Sequence, residues 1–466
     1  MITMKFGGTS VGDKQRLKEV VAIVRSNLIR QPVVVASAMS GVTDMLLSAA
    51  QLAVQREMEP VRKNVEAMKR KHLQIADALI SQEECRKELR ELQRPLLEKL
   101  AALYHGVSLL GELSHRSLDI IASFGEILSC MQIAAILNDN DIAAQYIDAR
   151  TLIRTDAHFG EAAVDFSITS ANIRNVLMPL VQASVVPVVT GFIGSTEDGI
   201  TTTLGRSGSD YTGSIVGAAL GSEEIWIWTD VDGVMTADPR YVNGALVLPG
   251  ISYREAAEMS YFGAKVIHPK TMQPAIENSI PIRIKNTFNP SHPGTLISKS
   301  SNAVSGIVKN VTSIDNLGLI SIEGNGMVGV PGISARIFAA LARISVNVMM
   351  ISQASSEHNV CLVVPQRDRL RAIQELRYEF EADIAKKTVD DIKLREGVSI
   401  VAVVGEGMHG VPGIAGKTFS AVAQEGVNII AIAQGSSELN ISLAVDQTDA
   451  RKAVQAIHDA FHLAHN

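Results

Sequence analysis

The stretch Gly324-Asn325-Gly326-Met327-Val328-Gly329-Val330-Pro331-Gly332-Ile333 returns later as Gly405-Glu406-Gly407-Met408-His409-Gly410-Val411-Pro412-Gly413-Ile414. The two differ only where Asn325 gives way to Glu406 and Val328 to His409. The match runs on at constant offset through Val346-Asn347 and Val427-Asn428. It reaches Gln353 with Ser355-Ser356-Glu357, and Gln434 with Ser436-Ser437-Glu438. Self-similarity of this kind marks two copies of one small unit. Each copy reads as a β-branched run (319–322; 399–404), the glycine loop, and an amphipathic stretch (334–343; 415–425). Two further apolar runs (346–351, 360–364; 427–432, 441–445) and a last helix (368–380; 449–462) follow. That order predicts two ferredoxin-like βαββαβ units in the C-terminal third.

Outward from the repeat, toward the N-terminus, the rhythm changes. Apolar runs at 4–6, 33–36, 143–147, 185–190, 224–228 and 280–284 alternate with helical stretches, which predicts an α/β domain with a mainly parallel sheet. Residues 45–118 read as helices whose dense Lys, Arg, Glu and Gln form solvated faces. Turn-rich material at 290–294 and 299–302 places the boundary near 300–310. The expected domains are 1–300, 310–392 and 398–466.

Composition narrows the function classes. A chain of 466 residues has room for two to four domains at about 100–200 residues each. Hydrophobic residues at 46% and charged residues at 20% describe an ordered, water-soluble protein. A net charge of −6 argues against a general nucleic-acid or anionic-membrane binder. Three scattered cysteines (Cys85, Cys130, Cys361) form no CxxC pair and suggest a reducing compartment. No signal peptide and no apolar run of membrane-spanning length is evident, so the expected location is cytoplasmic.

Two motifs are decoys. Each repeat contains G-x-G-x-x-G (Gly324, Gly326, Gly329; Gly405, Gly407, Gly410), the dinucleotide fingerprint. The ribose-binding acid expected about 20 residues on is missing, since Met349-Met350 and Ile430-Ala431 occupy that zone. These glycines are expected to let backbone N–H groups line a small pocket at a helix start. Gly416-Lys417-Thr418 resembles the end of a P-loop, but Val411 stands where its first glycine belongs, so Lys417 reads as an exposed helix residue.

Three loops carry candidate chemistry. The first strand leads into Lys5-Phe6-Gly7-Gly8-Thr9-Ser10, a lysine beside paired glycines that suits phosphate binding. Leu204-Gly205-Arg206-Ser207-Gly208-Ser209-Asp210 precedes a helix of small residues and favours anions. Arg206 is fitted to clamp a carboxylate, while Asp210 suits either a helix N-cap or a site acid. Thr229-Asp230-Val231-Asp232-Gly233-Val234-Met235 through Asp238-Pro239-Arg240 lacks calcium-loop spacing. It fits nucleotide or magnesium contact, or ordinary turn chemistry.

These loops, with Ser37-Ala38-Met39-Ser40-Gly41-Val42-Thr43, Ser123-Phe124-Gly125-Glu126 and Phe262-Gly263-Ala264-Lys265-Val266-Ile267-His268-Pro269, together resemble the aspartate kinases of the amino-acid kinase superfamily. The C-terminal repeats resemble their tandem ACT domains. The resemblance spans essentially the whole chain and stops at Asn466, so the expected form is the monofunctional one without homoserine dehydrogenase. It implies phosphorylation of the side-chain carboxylate of L-aspartate by Mg-ATP, at the entry to lysine, threonine and methionine synthesis. Lys5 would meet the transferring phosphoryl group and Asp210 would orient it. Ser37, Thr43, Glu126, Arg206 and Ser209 would hold aspartate. Lys5, Gly7, Gly8, Thr229, Asp230, Met235, Arg240, Lys265 and Val266 would contact the nucleotide, Met235 standing where several relatives carry tyrosine. Protein ligands of the Mg²⁺ are left unassigned.

A carboxylate acceptor is ionised at pH 7 and needs no general base, so no catalytic histidine is required. His268 before Pro269 reads as a helix cap, and Cys130 as core. The paired ACT units imply feedback by an amino acid, threonine ahead of lysine, with Asn347, Gln353, Asn428 and Gln434 as effector contacts or as closers of the ACT–ACT interface. A homodimer or homotetramer through ACT edges is expected. The rival readings are another amino-acid kinase and a catalytically silent amino-acid sensor.

Overall fold

The computed structural model describes residues 1–264, 267–299, 306–354 and 358–464. They form two compact units: residues 1–234, 249–253 and 267–299, then residues 235–248, 254–264 and 306–464.

The first unit is built on strands β1 (Ile2–Phe6), β2 (Pro32–Ala36), β3 (Ala144–Ile147), β4 (Val186–Thr190), a small hairpin of β5 (Ile193–Ser195) and β6 (Thr201–Thr203), then β7 (Ile225–Thr229), β8 (Gly250–Ser252), β9 (Ile282–Asn286) and β10 (Thr295–Ser298). Eight of them form one sheet in the order β3-β4-β2-β1-β7-β9-β10-β8. Every pairing is parallel except β9 with β10, which satisfies the expectation of a mainly parallel sheet. The cause is visible in the sequence. β1, β2 and β4 are buried along their whole length and largely apolar, as strands covered on both faces must be, with Lys5 of β1 the charged exception.

The first unit's helices are α1 (Lys14–Ser26), α2 (Val42–Val54), α3 (Met58–Leu79), α4 (Glu83–Leu110), α5 (His115–Asp139), α6 (Phe166–Gln182) and α7 (Gly208–Leu220). After α8 (Tyr253–Tyr261) comes α9 (Pro269–Glu277). α5 corrects one expectation. It is apolar and long enough, by composition, to cross a membrane, but 83% of that apolar window is buried among its neighbours. It is a core helix, and its inward positions Phe124, Leu128, Ile133 and Leu137 share a cluster with β1 and β2.

The second unit holds the repeats: β11 (Asn310–Glu323), α10 (Ile333–Arg343), β12 (Met350–Gln353), β13 (Asn359–Pro365), α11 (Arg369–Glu379) and the short α12 (Glu381–Ala385). The second copy follows as β14 (Asp391–Val404), α13 (Ile414–Gln424), β15 (Ile429–Ala433), β16 (Asn440–Asp446) and α14 (Ala450–Ala460). The second strand of the first copy starts later than expected, at Met350. The six strands form one sheet, β12-β13-β11-β14-β16-β15. β11 and β14 are each long enough to serve both copies. Ser321–Glu323 pairs with Asp391–Lys393 inside the first copy, while Asn310–Ile314 pairs with Ile400–Val404 and completes the second. A register shift between Ile314 and Leu319, with Asn316 at φ 60°, separates the two halves. The end strands also meet, since the Ser352 hydroxyl donates to the Ile432 carbonyl at 2.9 Å.

The glycines of the repeat now have a steric reason. A Cβ on Gly324 would stand 2.4 Å from the Thr388 carbonyl oxygen, and one on Gly405 2.3 Å from that of Ile307. In each copy the incoming strand's backbone passes where a side chain would be. The first glycines of the decoy motif therefore serve backbone packing rather than a pyrophosphate.

Segments that precede the repeat in sequence also belong to this unit. Ala237 and Val242 share an apolar cluster with Val401, Val403, Met408 and Ile457. Val311 donates to the Thr236 carbonyl at 2.9 Å, and Thr236 Oγ1 meets His458 Nε2 at 3.0 Å. Glu255 of α8 accepts from Glu406 N–H at 2.8 Å and pairs with Lys309 at 3.4 Å, both side chains almost wholly buried.

Candidate active site

Lys5 lies near the carboxyl end of β1, between Val35 and Ile227 of the flanking strands. Its side chain runs over the start of α7, where Gly213 makes room: a Cβ there would meet Lys5 Cβ at 3.1 Å. The ammonium reaches Asp210 Oδ1 at 2.5 Å, and both side chains are largely buried. Asp210 sits in the first turn of α7, where its negative charge is favoured by the helix dipole. It is not the N-cap. That position falls to Ser207, whose side chain makes no capping bond. Of the two roles open to Asp210, the structure shows the ion pair.

The loop after β1 is stitched to its neighbours. Gly7 N–H donates to the Trp228 carbonyl at 3.1 Å, Ser37 N–H to Phe6 at 3.1 Å, and Ser40 N–H to Gly8 at 3.2 Å. A Cβ on Gly8 would press the Ala38 carbonyl oxygen at 3.0 Å, so close passage of two loops already demands that glycine. Together these loops enclose a cavity of about 540 Å³ lined by Lys5, Gly8, Ser37, Thr43, Glu126, Arg206, Ser209 and Asp210. Residues spread from the first strand to the seventh helix thus meet in one cleft, at the carboxyl ends of parallel strands, where ligands of open α/β sheets bind. Both residues expected to act in catalysis and all five expected to hold aspartate are there.

Glu126 is the electrostatic outlier. It comes from the buried core of α5 and is 4% exposed. Ala38 N–H donates to its Oε1 at 3.1 Å, while Oε2, equally buried, has no hydrogen-bond partner. Burial pushes its carboxyl up to about 8, against the smaller pull of the Ala38 bond and of Lys5. A buried acid that lines a polar cavity and has one unused oxygen is suited to a cation. Arg206, an exposed residue lining the same cavity, has no ion-pair partner among the described residues and is suited to an anion. The cavity therefore presents one group for an ammonium, one for a carboxylate, and a lysine–aspartate pair beside them.

The expected nucleotide contacts are distributed. Lys5, Gly7, Gly8, Thr229 and Asp230 belong to the first unit, with Thr229 the last residue of β7 and Asp230 just past it. Met235 and Arg240 belong to the second unit, Arg240 exposed and paired with Asp238 at 2.5 Å. Lys265 and Val266 lie outside the described residues. Asp232 accepts from the side-chain amides of Asn286 at 2.8 Å and Asn289 at 3.1 Å, a clamp the sequence reading did not foresee.

Of the effector candidates, Gln353 lines a cavity of about 370 Å³ with Gly329, Val330, Gly332, Ile333 and Ser334 of its own copy's glycine loop. Asn347 does not line it; its amide turns to Met349 Sδ at 3.3 Å. Asn428 and Gln434 are exposed. The side readings fall into place. His268 caps α9 by accepting from Lys270 N–H at 3.3 Å, and Cys130 is fully buried. Lys417 is exposed, its ammonium 4.7 Å from the centre of the Phe461 ring.

Comparison with known proteins places the fold in a family. The profile described as "Amino acid kinase family" matches residues 1–286, and that described as "ACT domain" matches 320–380 and 401–461. Aspartokinase 1, chloroplastic, of Arabidopsis thaliana is 35% identical over 98% of this chain and 79% of its own length. The chain belongs to the aspartokinase family. A bifunctional aspartokinase/homoserine dehydrogenase of the same plant is 37% identical over 99% of the chain. The chain spans about half the length of such bifunctional relatives. Aspartokinase III of E. coli, solved with aspartate and ADP, superposes with a TM-score of 0.82 at 30% identity, covering 99% of this chain and 100% of that one. The same enzyme has been solved with lysine and aspartate (TM-score 0.80). An aspartokinase fold, a kinase domain followed by ACT domains, is thus established.

Proposed function

We propose that the chain transfers the γ-phosphoryl group of MgATP to the side-chain carboxylate of L-aspartate, giving 4-phospho-L-aspartate. The observation that carries this reading is the cleft itself. Glu126 with an unused buried oxygen, Arg206 without an ion-pair partner and the Lys5–Asp210 pair line one cavity. That set complements an amino acid bearing an extra carboxylate. Glu126 takes the α-ammonium, and Arg206 with Ser209 takes a carboxylate through charge-assisted bonds. Ser37 and Thr43 supply hydroxyls to the same substrate. The acceptor is ionised at neutral pH and attacks without a base. The residues' task is alignment and neutralisation of charge on the phosphoryl oxygens. Lys5, held in place by Asp210, supplies the positive charge, and the Gly7-Gly8 backbone approaches the phosphates. Mg²⁺ is taken to arrive on the nucleotide as part of the substrate. Thr229, Asp230, Met235, Arg240, Lys265 and Val266 complete the nucleotide contacts. Support comes from the E. coli enzyme solved with aspartate and ADP.

The finer readings are proposals of the same kind: a cytoplasmic enzyme at the entry to lysine, threonine and methionine synthesis, acting as a homodimer or homotetramer. Feedback by threonine, with lysine second, would act through the glycine-loop cavity that Gln353 lines. The E. coli neighbour solved with lysine favours an amino-acid effector in general. ATP turnover measured against aspartate, glutamate and N-acetylglutamate, with and without threonine or lysine, tests the acceptor and effector assignments. Turnover indifferent to aspartate would overturn the substrate assignment.

A further inference from the structure

Asp119 stands near the start of α5, 3% exposed, in a stretch to which the sequence reading gave no role. Its carboxylate accepts only neutral donors. Oδ2 takes the N–H of Gly160 at 3.0 Å and of Thr203 at 2.9 Å, and Oδ1 takes the Thr203 hydroxyl at 2.8 Å. One partner lines the substrate cavity, and the other leads into the loop that does. Gly160 lines the cavity directly. Thr203 ends β6, and the chain runs from it through Leu204 and Gly205 to Arg206. The two segments are also packed on each other. Ala162 N–H donates to the Thr203 carbonyl at 2.9 Å, and a Cβ on Gly205 would stand 2.9 Å from Glu161 Cγ.

Burying a carboxylate is costly, and an apolar residue would fill the space under α5 at less expense. What a side chain of this length with an acceptor oxygen supplies, and an apolar residue does not, is a shared acceptor for two loop N–H groups that come from different parts of the chain. Without it, two buried backbone donors lose their partner, and the turn carrying Arg206 is free to shift against the 160–162 segment. We infer that Asp119 is a positioning residue for the aspartate pocket: it fixes the Arg206 loop against Gly160 and so sets where the substrate carboxylate is gripped. The inference rests on the aspartate-kinase reading above.

Three variants test it. In Asp119→Asn, the amide oxygen accepts both N–H groups and the amide nitrogen donates to the Thr203 hydroxyl, so the geometry survives without the charge. Its KM for aspartate is expected within about threefold of wild type. Asp119→Ala is expected to raise that KM about tenfold or more while the KM for ATP stays within about twofold, because the loss is confined to one substrate's grip. Hydrogen exchange should show lost protection at Gly160 and Thr203 in Asp119→Ala, with β1 and β7 unchanged. Equal rises in both KM values, or no rise for aspartate, would overturn the inference. Where Asp119→Ala does not fold, Thr203→Val removes one of the three bonds and is expected to raise the aspartate KM severalfold; no rise overturns it. The exchange readout needs no substrate. A wild type without aspartate-dependent turnover overturns the kinase reading, while unchanged exchange at Gly160 and Thr203 overturns the positioning role by itself.

Discussion

Glu126→Gln separates charge from shape at the ammonium end of the pocket. In the free protein, burial holds the Glu126 carboxyl near 8, far above the ordinary 4.5. At pH 7 about one molecule in ten then carries the ionised form that an ammonium needs, a handicap of about 1.4 kcal/mol or roughly tenfold in affinity. Aspartate should therefore bind progressively tighter from pH 6.5 to 8.5, gaining about tenfold above pH 7 and then levelling off. Binding at pH 7 should release close to one proton, which calorimetry in buffers of different ionisation enthalpy reads directly. Glu126→Gln should bind aspartate weakly, with neither pH dependence nor proton release. The stability sign follows from the same shift. Between about 4.5 and 8 the folded state holds a proton that the unfolded state has lost, so Glu126 lowers stability as pH rises through that window. Glu126→Gln should flatten that slope and be relatively more stable at pH 8.5 than at pH 5. Wild-type aspartate affinity that is flat from pH 6.5 to 8.5, with no proton released, would refute the claim that this buried acid meets the ammonium.

Three further outcomes follow from the geometry. Lys5→Ala should lower kcat by about 10²–10³-fold in protein that still folds, with a lower melting temperature because Asp210 Oδ1 loses its buried partner; near-normal turnover would remove Lys5 from phosphoryl transfer. Arg206→Ala removes an exposed side chain that has no ion-pair partner among the described residues, so stability should hold while kcat/KM for aspartate falls roughly thirtyfold, about 2 kcal/mol, at unchanged KM for ATP. Lys309→Met breaks an almost wholly buried pair with Glu255 and should cost about 3–5 kcal/mol in chemical denaturation; a loss below about 1 kcal/mol would show that the pair carries little of that unit's stability.

What was legible in the sequence, and what was not, divides along physical lines. Apolar runs announced β1, β2, β4, β7 and β9, because strands covered on both faces leave little choice of residue. Lys5, Arg206 and Asp210 were legible as loop chemistry beside glycines. Their meeting in one cavity was not, because adjacency across a parallel sheet is set by strand order, which no local pattern encodes. Glu126 was recognisable only through its motif. On residue type alone, an acid inside the apolar helix α5 is an anomaly, and that anomaly was the available signal. Asp119 on the same helix carried the same signal and was passed over, since its partners Gly160 and Thr203 lie far off in sequence. The apolar window of α5 was missed as well, because the polar residues that interrupt it are buried with it.

The repeat teaches a different lesson about glycine and about domains. G-x-G-x-x-G reads as a nucleotide signature when its spacing alone is weighed. Here the first glycine of each copy yields to a neighbouring backbone, Thr388 in one copy and Ile307 in the other. Those neighbours reveal the logic of the duplication. Thr388 leads into β14, whose Asp391–Lys393 segment closes the first copy's sheet from behind. Ile307 leads into β11, whose Asn310–Ile314 segment closes the second copy's sheet from in front. Each copy therefore needs a glycine at the point where its last strand arrives, whichever direction along the chain that strand comes from. The second copy's last strand arrives ahead of the first copy in sequence. The repeated residues thus mark equivalent positions in space, while the strands that complete them are exchanged through the shared sheet. Two copies in sequence have become one folded body, joined through two strands, β11 and β14, that both copies share.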